Sequence, residues 1–186
     1  MYYNKSLKKY LDDLAAKLPA PGGGSAAALT AALGAALIGM VINFTLGKPK
    51  YAKYRADLAR VLSVTEKARK RFLQLVDLDV LAFKSKDINK SLRVPLEIAR
   101  LCSEVLRLCP TLLKKGNINL ISDVAVAAIL LESGFSSALF NVRINLKYLN
   151  NKKRADKINK ELDKKRGTII KMRHNLEERI DEIIRG

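Results

Sequence analysis

The chain has no tryptophan, one histidine and two cysteines in 186 residues. One His and two Cys do not assemble a zinc site, so no metal is expected. The lone His174 sits in a charged stretch, and no Ser-His-Asp set can be built around it. Cys102 and Cys109 are seven residues apart on one expected helix. That is roughly 10 Å at helical rise, too far for a disulfide. They read as small buried residues in a reducing compartment.

Acidic residues are scarce as well: 18 Asp+Glu stand against 35 Lys+Arg, a net charge of +17. Anionic partners follow from that excess, whether nucleic acid, lipid head groups or small acids. Between Lys147 and Arg173 there are eleven Lys/Arg and three Asp/Glu, with few aromatics interleaved. A solvated face is expected there rather than a nucleic-acid surface. Alternation of β-branched and polar residues is nearly missing, which removes strands. No apolar leader follows Met1, and a cytoplasmic address is expected.

Charge is absent altogether from the 22 residues Ser25 to Leu46. Such a stretch is long enough to cross ~30 Å of hydrocarbon. Alanine and glycine dominate it and no second span of the kind is recognised, so a buried central helix is expected and no membrane. Its Ala27, Ala31, Ala35 and Gly39 recur at four-residue steps and form a smooth stripe that admits another helix closely.

What the chain does have is helical periodicity. Leu7, Leu11, Leu14, Ala15 and Leu18 mark a first helix over about Ser6 to Leu18. The second spans about Ser25 to Leu46 and is stopped by Gly47-Lys48-Pro49. A third starts near Lys50 and reaches about Lys86. The fourth covers about Ser91 to Lys114, with Pro95 in its first turn and Pro110 kinking it or ending it early. Helix five, about Leu120 to Tyr148, is again apolar and small-sided. Helix six, about Lys152 to Ile184, is strongly charged, with Gly167 marking a bend. The expectation is an all-α protein, one domain over 1–186, a bundle of five to seven helices with two apolar inner helices, the second and the fifth.

Pro19-Ala20-Pro21-Gly22-Gly23-Gly24-Ser25 opens the second helix. Ser25 reads as its N-cap. Three bare glycines beside a helix N-terminus suit close approach of an anionic or polar group. The run lacks the Lys-Ser/Thr of a phosphate-binding loop and the preceding strand of a dinucleotide fold. Asp77 and Asp79 lie among apolar residues. On a helix they point in different directions, so at most one faces a cleft, where desolvation would suit it to acid/base work. Spacing alone leaves the choice open. Asn117, Asn119 and Asp123 gather at the start of helix five. Asn141 and Asn145 share one of its faces and need partners if buried.

Taken together, these residues resemble one family, the cyclodeaminase/cyclohydrolase enzymes of folate metabolism. The resemblance runs through the Pro19–Ser25 block, Ala32 to Leu37, Met40-Val41 with Asn43, Thr45, Gly47 and Lys48, and Asp79 with Ala82-Phe83. It continues in Val94-Pro95-Leu96, Gly116-Asn117, Asn119-Leu120, Ser122-Asp123 and Asn141-Val142-Arg143-Ile144-Asn145-Leu146. It spans about residues 6 to 150, with a segment between Phe83 and Val94 that is shorter than the family pattern. What it implies is a homodimer acting on the N5–C–N10 bridge of a tetrahydrofolate derivative, which is the substrate; no cofactor is implied. Formimidoyltetrahydrofolate cyclodeaminase chemistry is the first expectation, methenyltetrahydrofolate cyclohydrolase the alternative on the same scaffold. A basic nucleic-acid-binding protein is the competing class. Asp79 is implied as the acid/base group, with Asp77 as fallback. Substrate binding is expected from Gly22, Gly23, Gly24, Ser25, Asn43, Lys48, Asn117, Asn119, Asp123, Asn141 and Asn145. Lys48 and Lys50 are expected to meet the glutamate carboxylates of a folate that can be polyglutamylated, and a separate formiminotransferase is a possible partner.

Overall fold

The structure, a computed structural model, describes residues 1–186. It holds seven α-helices and no strands: α1 (Leu7–Ala15), α2 (Gly23–Asn43), α3 (Arg55–Lys84), α4 (Ile88–Leu106), α5 (Cys109–Lys115), α6 (Ile121–Leu146) and α7 (Lys152–Arg185). Short 3-10 turns precede α1, α3 and α6. One cluster of 40 buried apolar residues runs from Tyr10 to Ile180.

α2 and α6 pack on each other more extensively than any other pair, and α3 and α4 close around them. Small residues make this approach possible. A Cβ on Gly34 would stand 2.9 Å from Leu131 Cγ, and one on Gly134 would stand 3.1 Å from Ala31 Cβ. The inner pair expected from sequence is therefore present, and both its members are long and apolar enough to span a membrane by length and composition. The second, Ile118–Leu146, corrects the expectation of a single such stretch; Asp123, Glu132 and Arg143 are its only charged residues. α7 is tied on by charge in its first half: Arg100 grips Glu161 with two hydrogen bonds (2.9 and 2.7 Å), and Arg143 reaches Asp163 at 2.7 Å. It runs unbroken through Gly167, with no interruption marking the expected bend.

Three local expectations are corrected and one holds. Ser25 is not the N-cap of α2: Gly22 is, and Ser25 is the third helical residue, fully buried. Pro95 is not in a first turn. Asp87 caps α4 by accepting from the Asn89 and Lys90 amides, so the helix begins early and Pro95 becomes its eighth residue. Pro110 lies where helix four was expected to end early, and α4 does stop at Leu106. The proline opens the separate helix α5, because a proline is best accommodated where no amide donor is needed. The leucine stripe of α1 is only partly packed: Leu14 lies against the core, Leu7 and Leu11 are 69% and 56% exposed, and Tyr10 is the only buried residue of that helix.

Candidate active site

The glycine block delivers α2 to a carboxylate of α3. Gly23, Gly24 and Ser25 form the first turn, whose amides have no partner inside the helix. Asp79 lies against them. A Cβ on Gly24 would fall 2.1 Å from Asp79 Oδ1 and 2.7 Å from its Cγ. Glycine is required at 24 because the carboxylate occupies the place of a side chain. Burial pushes the Asp79 carboxyl above its ordinary value, and the Ser25 amide, which hydrogen-bonds the charged form, pulls it partly back. An acid/base group with a raised pKa thus sits at the positive end of a helix.

Asp77, two residues away, has a different role. Its side chain is buried and accepts the amides of Tyr2 (2.5 Å) and Tyr3 (3.2 Å), so it anchors the N-terminal turn. The geometry thus separates the two aspartates that spacing left open: Asp77 is engaged by backbone, while Asp79 faces the glycine turn.

Tyr10 belongs to this cluster and was missed from sequence. It is 4% exposed, and its hydroxyl shares a hydrogen bond of 3.2 Å with Ser25 Oγ. Burial raises its pKa, the Ser25 bond lowers it, and the Asp79 charge raises it further. Tyr2 stacks edge-on against it at 5.3 Å. The available signal was one aromatic hydroxyl in an otherwise aliphatic stripe, three residues after Leu7.

On the other side of the turn stands Asn141 of α6. A Cβ on Gly23 would be 3.4 Å from its Nδ2, and that nitrogen donates to the Ser137 carbonyl at 3.0 Å. Asn145, one turn on, donates to the Ser91 carbonyl at 2.7 Å. Gly22 to Ser25, Asp79, Asn141 and Asn145 are thus one neighbourhood.

The other sequence candidates lie elsewhere in the protomer. α2 is 21 residues long, about 30 Å at helical rise, and Asn43 ends it far from Gly23. Lys48 follows, exposed. Asn117 is carried to that same far end by Thr45, whose hydroxyl accepts the Asn117 amide at 2.9 Å and donates to Val41 at 2.6 Å. The Asn117 side chain caps the turn beyond it by accepting from the Asn119 amide. Asp123 lies in the first turn of α6, beside them. Residues expected in one site therefore form two groups at opposite ends of α2. Beside Asp77 a cleft of about 270 Å³ is lined by charges of both signs, Lys5, Lys9 and Lys84 with Asp13 and Asp77.

This all-helical bundle sets a partly desolvated carboxylate on a glycine helix start, an arrangement chemically able to take up and release a proton. The sequence profile described as formiminotransferase-cyclodeaminase matches residues 6–87 and 84–164. The chain belongs to that family. The two matched pieces meet at the tight α3–α4 connection, where the segment is short. The chain is 38% identical over 183 residues to the methenyltetrahydrofolate cyclohydrolase of Methylorubrum extorquens, covering 86% of this chain and 88% of that protein. It is 33% identical over 165 residues to the formimidoyltransferase-cyclodeaminase of Rattus norvegicus, spanning 30% of that longer protein. The crystal structure of formiminotetrahydrofolate cyclodeaminase from Thermotoga maritima superposes with a TM-score of 0.92 at 27% identity, over 99% of this chain and 100% of the other.

Proposed function

We propose that the protein hydrolyses 5,10-methenyltetrahydrofolate to 10-formyltetrahydrofolate, with Asp79 moving the proton. The observation that carries this reading is the Asp79 carboxyl lodged against Gly24 with its pKa raised by burial. Water adds to the methenyl carbon and loses a proton to Asp79. The bond from that carbon to N5 then breaks as N5 takes the proton back. The second hydroxyl proton leaves to solvent as the formyl carbonyl forms on N10, so the step releases one proton overall. The amides at the α2 N-terminus favour a developing oxyanion at the same carbon. Asn141 Oδ1 offers an acceptor beside Gly23.

The sequence reading placed deamination of formimidoyltetrahydrofolate first. The same carboxyl serves it: N10 attacks the formimino carbon, its proton goes to Asp79, and the departing nitrogen is protonated and leaves as ammonia. Similarity to a cyclohydrolase across nearly the whole of both chains favours hydrolysis. The structural likeness to a cyclodeaminase keeps deamination as the second reading.

We further propose that the working unit is a cytoplasmic homodimer. Leu33 on α2 and Val126, Ile129 and Phe140 on α6 are exposed on the two least charged helices of a strongly cationic chain. A second copy on that face would cover them. It would also offer its Asn43, Lys48, Asn117, Asn119 and Asp123 group to complete the site, with Lys48 and Lys50 toward the glutamate carboxylates of the folate. Following methenyltetrahydrofolate absorbance with both substrates tests the reaction. Loss of the methenyl signal is expected on hydrolysis. Gain of signal from formimidoyltetrahydrofolate with no hydrolysis would give the second reading, and turnover of neither would overturn both.

A further inference from the structure

Pro95 is the eighth residue of α4 and has no N–H to give. The Ser91 carbonyl, four residues back, is therefore left without its helical donor. Asn145 of α6 supplies one, its Nδ2 donating at 2.7 Å across 54 residues of sequence. Ser91 is held a second way: its hydroxyl donates to the Ala82 carbonyl at 3.3 Å, which also accepts from Ser85 Oγ at 2.7 Å. Ala82 is three residues after Asp79 on α3. Asn141 is four residues before Asn145 on α6. Ser91 thus links the helix of Asp79 to the helix of Asn141, and those two side chains flank the glycine turn on either side.

We propose that Asn145 is a positioning residue rather than a substrate ligand: through the carbonyl that Pro95 leaves open, it fixes the separation of Asp79 and Asn141 across Gly23-Gly24. The assignment rests on the reading that those two groups act at the glycine turn. Its basis is that one of the two N–H donors of the Asn145 amide is already engaged within the protein, at a good hydrogen-bond length. An open carbonyl in a partly buried helix is costly, and so is a proline without compensation in a helix interior. Pro95 and Asn145 are therefore coupled, each tolerable because of the other. A group that bound substrate directly would show no such dependence on Pro95.

The test is a double-mutant cycle of Asn145→Ala and Pro95→Ala on the full chain. It is read by denaturant unfolding, by kinetics with methenyltetrahydrofolate, and by titration of the Asp79 carboxyl carbon by NMR. Asn145→Ala is expected to lower the unfolding midpoint, reduce kcat about tenfold or more with little change in KM, and move the Asp79 titration. In the Pro95→Ala background Ser91 regains an amide donor, and the same Asn145→Ala change should cost less in all three readouts. Equal cost in both backgrounds overturns the coupling. A raised KM with kcat kept makes Asn145 a substrate ligand. Coupling in stability alone, with kcat and the Asp79 titration unmoved, overturns the positioning role. The unfolding and NMR arms need no substrate, so failure of the proposed reaction leaves them able to decide.

Discussion

Asp77 and Asp79 leave α3 in different directions, and each is held by a different part of the chain. Asp77 accepts two backbone amides of the N-terminal turn. Asp77→Ala should cost about 1–3 kcal/mol of stability while turnover is largely kept, as thermal melts and the methenyl absorbance assay would show. Asp79→Asn should do the reverse. The native carboxyl holds its proton more tightly than the unfolded one, because burial raises its pKa. Whatever stability it contributes is therefore present at low pH and is lost as pH rises through the native value. Removing the charge should leave the melting temperature at pH 7 equal or higher, while kcat falls about 10²–10⁴-fold. In the parent enzyme the acid limb of kcat/KM should lie above the ordinary carboxylate range. A limb at the ordinary value, or one retained in Asp79→Asn, would remove Asp79 from the role. Gly24→Ala tests the same contact from the other side, since its Cβ would collide with Asp79 Oδ1. Loss of turnover like that of Asp79→Asn, with about 1–3 kcal/mol of destabilisation, is expected by the same assays.

Helices here were easier to read than their ends. The all-α class and the inner pair follow from period and from runs without charge, which report burial directly. The ends depend on caps. Asp87 starts α4 ahead of its apolar pattern, and Gly22 starts α2 without any side chain. Once α4 starts at Ile88, Pro95 must lie inside it, and the carbonyl it frees has to find a donor on another helix. The small-residue stripe did announce a close crossing, but not its partner. Gly34 meets Leu131 and Ala127, while Gly134 meets Ala31 and Ala27. Gly34→Val should force α2 and α6 apart and cost about 1–3 kcal/mol. At this chain length that is roughly 2–4 °C of melting temperature per kcal/mol, measurable by calorimetry.

Over the full chain the excess of +17 is carried mostly by exposed side chains; α7, with 12 Lys/Arg against 7 Asp/Glu, contributes +5 of it. A positive field of that size speeds capture of an anionic folate, and salt screens it. KM should rise between low and physiological salt while kcat holds steady, as initial rates would show. The uncovered α2–α6 face predicts self-association. Phe140→Glu, at a residue 67% exposed in the protomer, should shift sedimentation from dimer to monomer with the helical content kept. If the far group of Asn43, Lys48 and Asn117 completes the site, activity should fall with the dimer. The sequence by itself determined the helical class, the central position of α2 and α6, and the glycine turn as the point of approach, because periodicity, missing charge and missing side chains act locally along the chain. Only the tertiary structure tied Asp77 to the N-terminal turn and set Asp79 against Gly24, recruited Tyr10, engaged Asn145 with Ser91 and sent Asn117 to the far end of α2. Those choices depend on which groups other helices bring within hydrogen-bond reach, and residue spacing carries no record of that.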